Sequence, residues 1–203
     1  MTDNGPVSSV NNAVLIIPVK SFQLAKQRLQ GVLNAEQRHA LGRQLAGQIV
    51  QANTGTDIMI VTDDAEVTQW ALAAGTRTMR PPLPGLNAAV AHGFSVARQL
   101  GYERTIISHA DLARPADLAW TAALAGIVLV TDRYADGTNV LVLPTAIDFD
   151  FEYGPGSFTR HYRRAVASNL PVHVVNDPVA SHDLDVPPNL RLLGTRFAGT
   201  FEL

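Results

Sequence analysis

The sequence predicts a single α/β domain with a mostly parallel, mixed sheet. Short apolar runs, typical of buried strands, alternate along the chain with segments whose apolar residues recur every three or four positions, as on one face of a helix. The chain has 203 residues, 46% of them hydrophobic, which is ample for one sizeable core. No repeat, low-complexity tract or linker divides it, so residues 13–203 are predicted to form one domain behind a flexible, polar tail at residues 1–12.

The first strand and the first helix have clear signals. Ala13–Val19 is a continuous apolar run, as expected of a strand that is covered on both faces. Asn34 can cap a helix, with Gln37 three residues later as in a capping box. The buried stripe predicted for that helix consists of Leu41, Leu45 and Ile49.

The next two strands flank a second helix. Asp57–Thr62 is the second strand candidate and Thr76–Arg80 is a short third one. Asp64 can cap the helix between them, and Gly75 ends that helix.

A proline-rich loop at residues 81–85 precedes the third helix. That helix is predicted over Asn87–Leu100, with Gly101 closing it, and Arg104–Ser108 is the fourth strand. The regular order of strand and helix up to this point favours parallel pairing of the strands.

The second half of the chain has a less regular pattern. Pro115 is suited to the first position of a helix running to about Ala125. Ile127–Thr131 and Asn139–Leu143 are strands with no helix between them, so the second is expected to be antiparallel to a neighbour. A helix over Ser157–Ser168 and a last strand over Val172–Val175 complete the domain.

Composition excludes several functional classes. The absence of cysteine excludes a disulfide framework, a thiolate zinc site, an iron–sulfur cluster and a cysteine nucleophile, so any metal would be held by oxygen or histidine ligands. A net charge of -2 argues against a nucleic-acid-binding surface. The longest near-apolar run is too short to span a bilayer and the N-terminus lacks the features of a signal peptide, so the cytoplasm is the expected location.

A cluster of basic residues follows the first predicted strand. Lys20, Lys26 and Arg28 fall within nine positions, directly after a strand end, where ligands bind in open α/β sheets. Such a loop suits a polyphosphate, and the alternative is a solvated turn. The chain contains neither GxxxxGK[ST] nor GxGxxG, which disfavours a P-loop or a standard dinucleotide fold.

Three aspartates are candidate ligands for Mg²⁺, which prefers oxygen ligands. Asp111 follows the fourth strand, while Asp183 and Asp185 point to the same side of the chain if their segment is extended. The alternative is that each is an ordinary cap or turn residue. His109 and His182 are candidate zinc ligands, but no third histidine lies near either in the sequence.

A glycine-rich stretch, Tyr153–His161, precedes and enters the last predicted helix. Ser157 is the natural N-cap of that helix, and free N–H groups at a helix start can bind a phosphate or a carboxylate. His161 shares a helix face with Arg164, so both side chains either line a site or are solvated. The alternative is an ordinary capped helix after a glycine loop.

Several stretches together resemble the guanylyltransferases of coenzyme F420 biosynthesis, which use 2-phospho-L-lactate or phosphoenolpyruvate. The matching stretches are IIPVK…AKQRL at 16–29, GLNAAV at 85–90, HADL at 109–112, GTNVL at 137–141, YGPGSFTRH at 153–161 and DLDVP at 183–187. The resemblance implies the nucleotidyltransferase fold, which is similar to that of the nucleotide-diphospho-sugar transferases. It also implies transfer of GMP from GTP to a phosphorylated three-carbon acid, with one or two Mg²⁺ ions as cofactor.

The same resemblance implies a role for each matched residue. The implied metal ligands are Asp111, Asp183 and Asp185. The implied contacts to the phosphoacid are Thr138, Gly154, Ser157 and His161. The implied contacts to the GTP phosphates are Lys20, Lys26 and Arg28, and those near the guanosine are Gly85 and Asn87.

The chain departs from the family pattern after the fourth strand. The family usually continues aspartate-leucine-proline, whereas Leu112-Ala113-Arg114-Pro115 follows Asp111 here, so Arg114 adds a charge near the implied site. Alternatives to the implied function are nucleotidyl transfer to 3-phosphoglycerate, a sugar phosphate or a molybdenum cofactor, and a non-catalytic nucleotide-binding role. Whether the chain forms a homo-oligomer stays open.

Overall fold

The computed structural model describes residues 12–113, 117–177, 180–182 and 184. Its strands are β1 (Ala13–Pro18), β2 (Asp57–Val61), β3 (Arg77–Met79), β4 (Arg104–Ser108), β5 (Ile127–Thr131), β6 (Thr138–Pro144) and β7 (Val172–Val175). Its α-helices are α1 (Ala35–Ala52), α2 (Ala65–Ala73), α3 (Leu86–Gln99), α4 (Ala119–Ala122) and α5 (Ser157–Ala167). The tail predicted for residues 1–12 lies outside the described residues, except for Asn12.

The described strands form one mixed sheet in the order β3-β2-β1-β4-β6-β5-β7. The pairs β1–β2, β2–β3, β1–β4 and β5–β7 are parallel, while β6 is antiparallel to both β4 and β5. The short turn at residues 132–137 explains the antiparallel pair, since a parallel connection needs a longer crossover. The prediction of a mostly parallel sheet with an antiparallel strand is confirmed.

Helices cover both faces of the sheet. α1, α2 and α4 pack on one face and α3 and α5 on the other. Along β1 the side chains alternate between the two cores, with Leu15 and Ile17 in one and Val14 and Ile16 in the other. This confirms that β1 is buried on both sides, as its continuous apolar run predicts.

Most predicted helix boundaries are confirmed by their cap contacts. Asn34 Oδ1 accepts from the Gln37 N–H, and the Asn34 N–H donates to Gln37 Oε1, so the capping box is present at the start of α1. The Asp64 carboxylate accepts from the Val67 N–H at the start of α2. None of the helices in the described ranges combines the length and the apolar character that crossing a bilayer would require.

Two predictions are wrong in detail. The helix expected from Pro115 to about Ala125 is only Ala119–Ala122 in the described residues, and Pro115 itself lies outside them. Side chains accept the hydrogen bonds of the backbone N–H groups at the start of α4: the Leu118 N–H donates to Asn53 Oδ1 and the Ala119 N–H donates to Asp117 Oδ1.

The start of α5 also differs from the prediction. Ser157 is its first helical residue and not its N-cap, because its hydroxyl accepts from the Thr138 N–H of β6 instead of a helix N–H. The cap position is Gly156, which has a φ of 72° that few residues other than glycine adopt.

The strand order creates a crevice beside β1. From β1 the chain runs outward through β2 to β3 and then returns to β4 on the other side of β1. The loops that leave β1 and β4 therefore diverge, and in open α/β sheets such a switch point is where ligands bind. Gly93 lets α3 pack closely on β1, because a Cβ at this position would lie only 2.8 Å from Ile16 Cγ2.

Candidate active site

Two adjoining cavities occupy the crevice at the carboxyl ends of the central strands. The larger, of about 260 Å³, lies between the ends of β1 and β2 and the loop before α3. The smaller, of about 210 Å³, lies between the β1 loop and the end of β4. Pro18, Val19 and Lys20 line both cavities, so one elongated ligand can extend from one into the other past Lys20.

The basic loop after β1 is anchored by buried apolar side chains. Phe22 is 1% exposed and meets Trp70 of α2 edge to face, with ring centroids 5.2 Å apart. Leu29, in a single 3₁₀ turn over Gln27–Leu29, is fully buried. Between these anchors Lys26 has a φ of 55°, a left-handed conformation that costs a residue with a Cβ on the order of 1–2 kcal/mol. The fold therefore holds Lys26 in one orientation.

Lys26 and Asp111 meet directly, although they are 85 positions apart in the chain. Lys26 Nζ lies 2.7 Å from Asp111 Oδ2, in a hydrogen-bonded ion pair between the β1 loop and the end of β4. The Lys26 side chain is only 4% exposed, whereas that of Asp111 is 29% exposed and lines the smaller cavity. The sequence predicts both residues for the site, and the pairing of β1 with β4 brings them together.

His182 and Leu184 contact the main chain of the Asp111 segment. The Ala113 N–H donates to the His182 carbonyl, and the Leu184 N–H donates to the Asp111 carbonyl. Leu184 is fully buried in a small apolar cluster with Ala113 and side chains of the β1 loop and α1. The predicted ligands Asp183 and Asp185 lie outside the described residues.

The described donors fit a hard cation that is bound in part by a substrate. No group of three or more His, Asp or Glu side chains suitable for a metal occurs in the part of the chain that the structure describes. Mg²⁺ commonly takes only one or two carboxylates from a protein and completes its shell with water and substrate phosphates. Asp111, at the wall of a cavity and beside a buried ammonium, matches that pattern.

Lys20 and Arg28 take different positions in the same loop. Lys20 is exposed and lies where the two cavities join. Arg28 is exposed on the 3₁₀ turn and is not among the described residues that line either cavity.

Gly85 and Asn87 stand at the start of α3. Gly85, with a φ of 107°, lines the larger cavity. The Asn87 carboxamide instead holds the main chain of Tyr153: Oδ1 accepts from the Tyr153 N–H at 2.7 Å and Nδ2 donates to its carbonyl at 3.4 Å. Asn87 therefore links the larger cavity to the glycine-rich loop.

Thr138, Ser157 and His161 come together inside the protein. Each is at most 2% exposed. The Thr138 N–H donates to Ser157 Oγ at 3.1 Å, and His161 Nδ1 lies 3.0 Å from Thr138 Oγ1. The sequence predicts all three for the site, and the structure joins them in one buried network that fixes the junction of β6 and α5.

His161 is held as a neutral ring. The Glu152 N–H donates to His161 Nε2 at 3.0 Å, so Nε2 is the acceptor and Nδ1 carries the proton toward Thr138 Oγ1. Burial lowers the pKa of His161 from 6.5 to about 4, with the positive charge of Arg160 as the second cause. Both ring nitrogens of His161 are therefore engaged in hydrogen bonds within the protein.

The pKa of His161 predicts acid-sensitive stability. As the pH falls from 6.5 to 5, His161 binds a proton in the unfolded chain but not in the folded one. The free energy of unfolding therefore falls by about 2 kcal/mol from this residue alone. Urea unfolding at pH 7 and pH 5 measures this loss. Between these pH values the free energy of unfolding of the His161→Asn variant should fall by about 2 kcal/mol less than that of the wild-type chain. Equal decreases would contradict the attribution of this pH dependence to His161.

The first N–H groups of α5 already have acceptors. The Gly156 N–H donates to Asp136 Oδ1, the Ser157 N–H to the Gly154 carbonyl and the Phe158 N–H to the Asp136 carbonyl. Asp136 thus stabilises the helix start from outside the helix, which the sequence pattern did not indicate. A ligand at this loop would meet exposed Gly154 more readily than the helix end itself.

Arg160 and Tyr153 were assigned no individual role at the site from the sequence. Arg160 Nε and Nη2 donate to the Glu152 carbonyl, which braces the chain before the glycine-rich loop. Tyr153 packs edge to face on His109, with centroids 5.4 Å apart, and His109 lines the smaller cavity. The loop therefore flanks the cavity that contains Lys26 and Asp111. No periodicity signals such contacts, because they join distant parts of the chain.

Comparison with known proteins identifies the family. The model of the family described as "Guanylyl transferase CofC like" matches residues 13–195. The chain belongs to this family. A phosphoenolpyruvate guanylyltransferase of Rubrobacter xylanophilus is 33% identical to it over 187 residues, covering 88% of this chain and 91% of the relative. A 2-phospho-L-lactate guanylyltransferase of Methanocaldococcus jannaschii is 27% identical over 182 residues, covering 87% of this chain and 80% of the relative.

Solved structures confirm the predicted nucleotidyltransferase fold of this CofC-like chain. A provisionally assigned nucleotide-diphospho-sugar transferase of Desulfovibrio desulfuricans superposes with a TM-score of 0.75 at 16% identity, covering 93% of this chain and 90% of that one. A nucleotidyl transferase of Methanothermobacter gives a TM-score of 0.63 at 12% identity, covering 93% and 99%. Family and fold together assign the chain to the nucleotidyltransferase class of enzymes.

Proposed function

We propose that this enzyme transfers GMP from GTP to a phosphorylated three-carbon acid, phosphoenolpyruvate or 2-phospho-L-lactate, in coenzyme F420 biosynthesis. The contact between Lys26 and Asp111 at the switch point of the sheet carries this proposal, because it joins a buried cation and a carboxylate at one cavity wall. The names of the relatives from Rubrobacter xylanophilus and Methanocaldococcus jannaschii support the choice of nucleotide and acceptors. Since GTP is an intracellular metabolite, we place the reaction in the cytoplasm.

The acceptor supplies its own nucleophile in this reaction. A phosphate monoester has a second pKa of about 6, so at neutral pH it is already a dianion and requires no general base. One of its oxygens forms a bond to the α-phosphorus of GTP while the bond to the bridging oxygen of the β-phosphate breaks. Pyrophosphate leaves, and the product is the acid linked to GDP. The main obstacle is repulsion between two polyanions.

The charged residues of the crevice counter that repulsion. Lys26 is positioned to hold the GTP phosphates and the departing pyrophosphate, and Lys20 contacts the phosphate chain between the cavities. Asp111 would hold Mg²⁺, with Asp183 and Asp185 as further ligands; the main-chain contacts of His182 and Leu184 with the Asp111 segment support this set. When bound, Mg²⁺ neutralises phosphate charge. Arg28 contributes positive charge at the loop surface.

The acceptor is placed at the glycine-rich loop. His109 and Tyr153 connect that loop with the smaller cavity, so an acid bound at Gly154 would lie beside the cavity that takes the α-phosphate. Thr138, Ser157 and His161 set the loop position from behind through their buried hydrogen bonds. Orientation of two bound reactants in this way is a major source of rate enhancement.

A pyrophosphate-release assay with mass identification of the product tests the proposed function. GTP is supplied with phosphoenolpyruvate, 2-phospho-L-lactate, 3-phosphoglycerate, a sugar phosphate or a molybdenum cofactor. We expect fastest turnover, and a GDP-linked product, with one of the first two acids. Equal or faster turnover of another acceptor would contradict the proposed substrate class. GTP binding without turnover of any acceptor would indicate a non-catalytic nucleotide-binding protein.

Replacing Asn87 by alanine should affect the acceptor more than the nucleotide. Its carboxamide holds the main chain of Tyr153, directly before Gly154, so its loss frees the loop on which the acid binds. We expect the KM for the acid to rise by about 10-fold, the effect of one or two lost hydrogen bonds, with the KM for GTP changed much less. Steady-state kinetics with each substrate varied in turn measures both. A larger effect on GTP would instead show that Asn87 contacts the nucleoside.

Lysine labelling provides a test that does not depend on turnover. Lys20 and Lys26 are the two lysines of the chain. Reductive methylation followed by peptide mass spectrometry should modify exposed Lys20 quickly and Lys26, with its 4% exposure, slowly. GTP should slow the labelling of Lys20, since the proposed phosphate path passes this residue. An unchanged rate at saturating GTP would contradict that path.

A further inference from the structure

The larger cavity has a carboxylate that the proposed chemistry does not use. Asp63 lies two residues after the end of β2, is exposed and lines this cavity. Its carboxylate makes no hydrogen bond or ion pair within the described ranges, and Lys20, which lines the same cavity, forms no ion pair with it there. The neighbouring Asp64 differs, because its carboxylate accepts from the Val67 N–H and caps α2.

The rest of the described cavity wall is mainly apolar. Its apolar members are Pro18, Val19, Val61, Pro81, Pro84, Leu86 and Ala89. Thr62 is 3% exposed and its hydroxyl accepts from the Asp64 N–H, so it is already used in the turn after β2. An apolar slot with one carboxylate suits a flat heterocycle that buries its faces and presents hydrogen-bond donors along one edge.

Charge fixes the direction in which a nucleotide can lie. The carboxylate of Asp63 repels phosphate, whereas Lys20 and Lys26 attract it. Lys20 lies where the cavities join and Lys26 beyond it, so the phosphates extend into the smaller cavity and the base is left in the larger one. The base then lies in the cavity that Asp63 lines.

We infer that Asp63 selects guanine by accepting hydrogen bonds from its N1–H and N2 amino groups, an inference that rests on the proposed function. Guanine presents these two donors side by side, and the two oxygens of a carboxylate match them. Adenine has an acceptor at N1 and no group at C2 that can donate, and the pyrimidines present a single donor position beside acceptors. Asp63 therefore favours guanine and leaves an unpaired carboxylate with any other base.

A contact with the ribose is the rival role for this carboxylate. In dinucleotide-binding folds an acidic residue at a comparable place hydrogen-bonds the ribose hydroxyls. The two roles differ in what an amide would do. Asparagine at position 63 keeps one acceptor and gains one donor, which matches the N1–H and 2-oxo groups of xanthine, whereas a ribose contact is indifferent to the base.

The test compares Asp63→Asn with the wild-type chain on GTP, XTP, ITP and 2′-deoxy-GTP, both in turnover and in equilibrium binding without acceptor. We expect Asp63→Asn to lower kcat/KM and affinity for GTP by about 100-fold and to raise both for XTP. The ratio of kcat/KM for XTP to that for GTP should therefore rise by about 10³-fold. The wild-type chain should use ITP, which lacks the amino group, about 10-fold less well than GTP. Asp64→Asn is the matched control, since asparagine is an equally good helix cap and the charge change is the same.

Other results of the Asp63→Asn comparison would contradict the selection of guanine by Asp63 or the proposed function. Equal losses for every base, with 2′-deoxy-GTP unaffected by the substitution, would overturn the inference in favour of a ribose contact. Unchanged selectivity in Asp63→Asn would overturn it outright. If the wild-type chain binds GTP selectively without turnover and Asp63→Asn shifts that preference toward XTP, the result would refute the proposed function while supporting Asp63 as the selecting residue.

Discussion

Replacing Asp111 by alanine is expected to lower kcat by at least about 1,000-fold, the largest effect of any single substitution in this chain. A loss of that size corresponds to about 4 kcal/mol of barrier. Asp111 is a carboxylate at the wall of the smaller cavity, it is hydrogen-bonded to the Lys26 ammonium, and the proposed reaction relies on it to hold Mg²⁺. Pyrophosphate release with saturating GTP and acceptor measures the loss.

The design of this test separates chemistry from folding. Asp111 is 29% exposed, so the variant is expected to fold, and its circular dichroism and Tm show whether it does. Asp148→Asn removes the same charge from a side chain that is fully exposed, and it should leave kcat within about 2-fold of wild type. An Asp111→Ala enzyme that keeps a tenth of the wild-type kcat would refute the role of Asp111.

Replacing Lys26 by methionine is expected to lower kcat/KM by about 100- to 1,000-fold. Methionine keeps much of the volume of the buried stem but removes the ammonium that faces the phosphates, and charged hydrogen bonds in a site of low exposure contribute strongly to transition-state stabilisation. Lys26→Arg should recover only part of the activity, because a planar guanidinium does not fit the position of an ammonium that is 4% exposed. Arg43→Met, which removes an exposed cation of α1, is the control.

The two substitutions should not be additive. Lys26 and Asp111 are in contact at 2.7 Å. When two residues in direct contact stabilise the same transition state together, the first substitution already removes most of that stabilisation, and the second adds little. The double variant is therefore expected to be little worse than Asp111→Ala alone. Full additivity would mean that the ion pair has no part in catalysis, and a Lys26→Met enzyme with wild-type kcat would exclude Lys26 from the reaction.

Elements with strong local signals were predicted well from the sequence. The capping box of α1, the Asp64 cap of α2 and the apolar run of β1 depend on residues within a few positions of one another, so the pattern is sufficient. The helix after Pro115 was predicted to be too long. Its Leu118 N–H, which a longer helix would use in its own backbone hydrogen bonds, donates to the side chain of Asn53, more than 60 positions away. Ser157 was misplaced by one helix position for the same reason, since a distant strand competes for its hydroxyl.

The sequence by itself determined the alternation of strands and helices, the absence of thiolate chemistry, and the residue types that suit a polyphosphate and a hard cation. Only the tertiary structure decided which of these residues meet. The order of the strands brings Lys26 to Asp111, and the tertiary contacts join His161 and Asn87 to the main chain of Glu152 and Tyr153 beside the glycine-rich loop. It also places Asp63 in the larger cavity, which Lys20 lines as well. The physical reason is that caps and periodicity are local properties, whereas a binding site forms from strand ends whose proximity depends on pairing across the whole sheet.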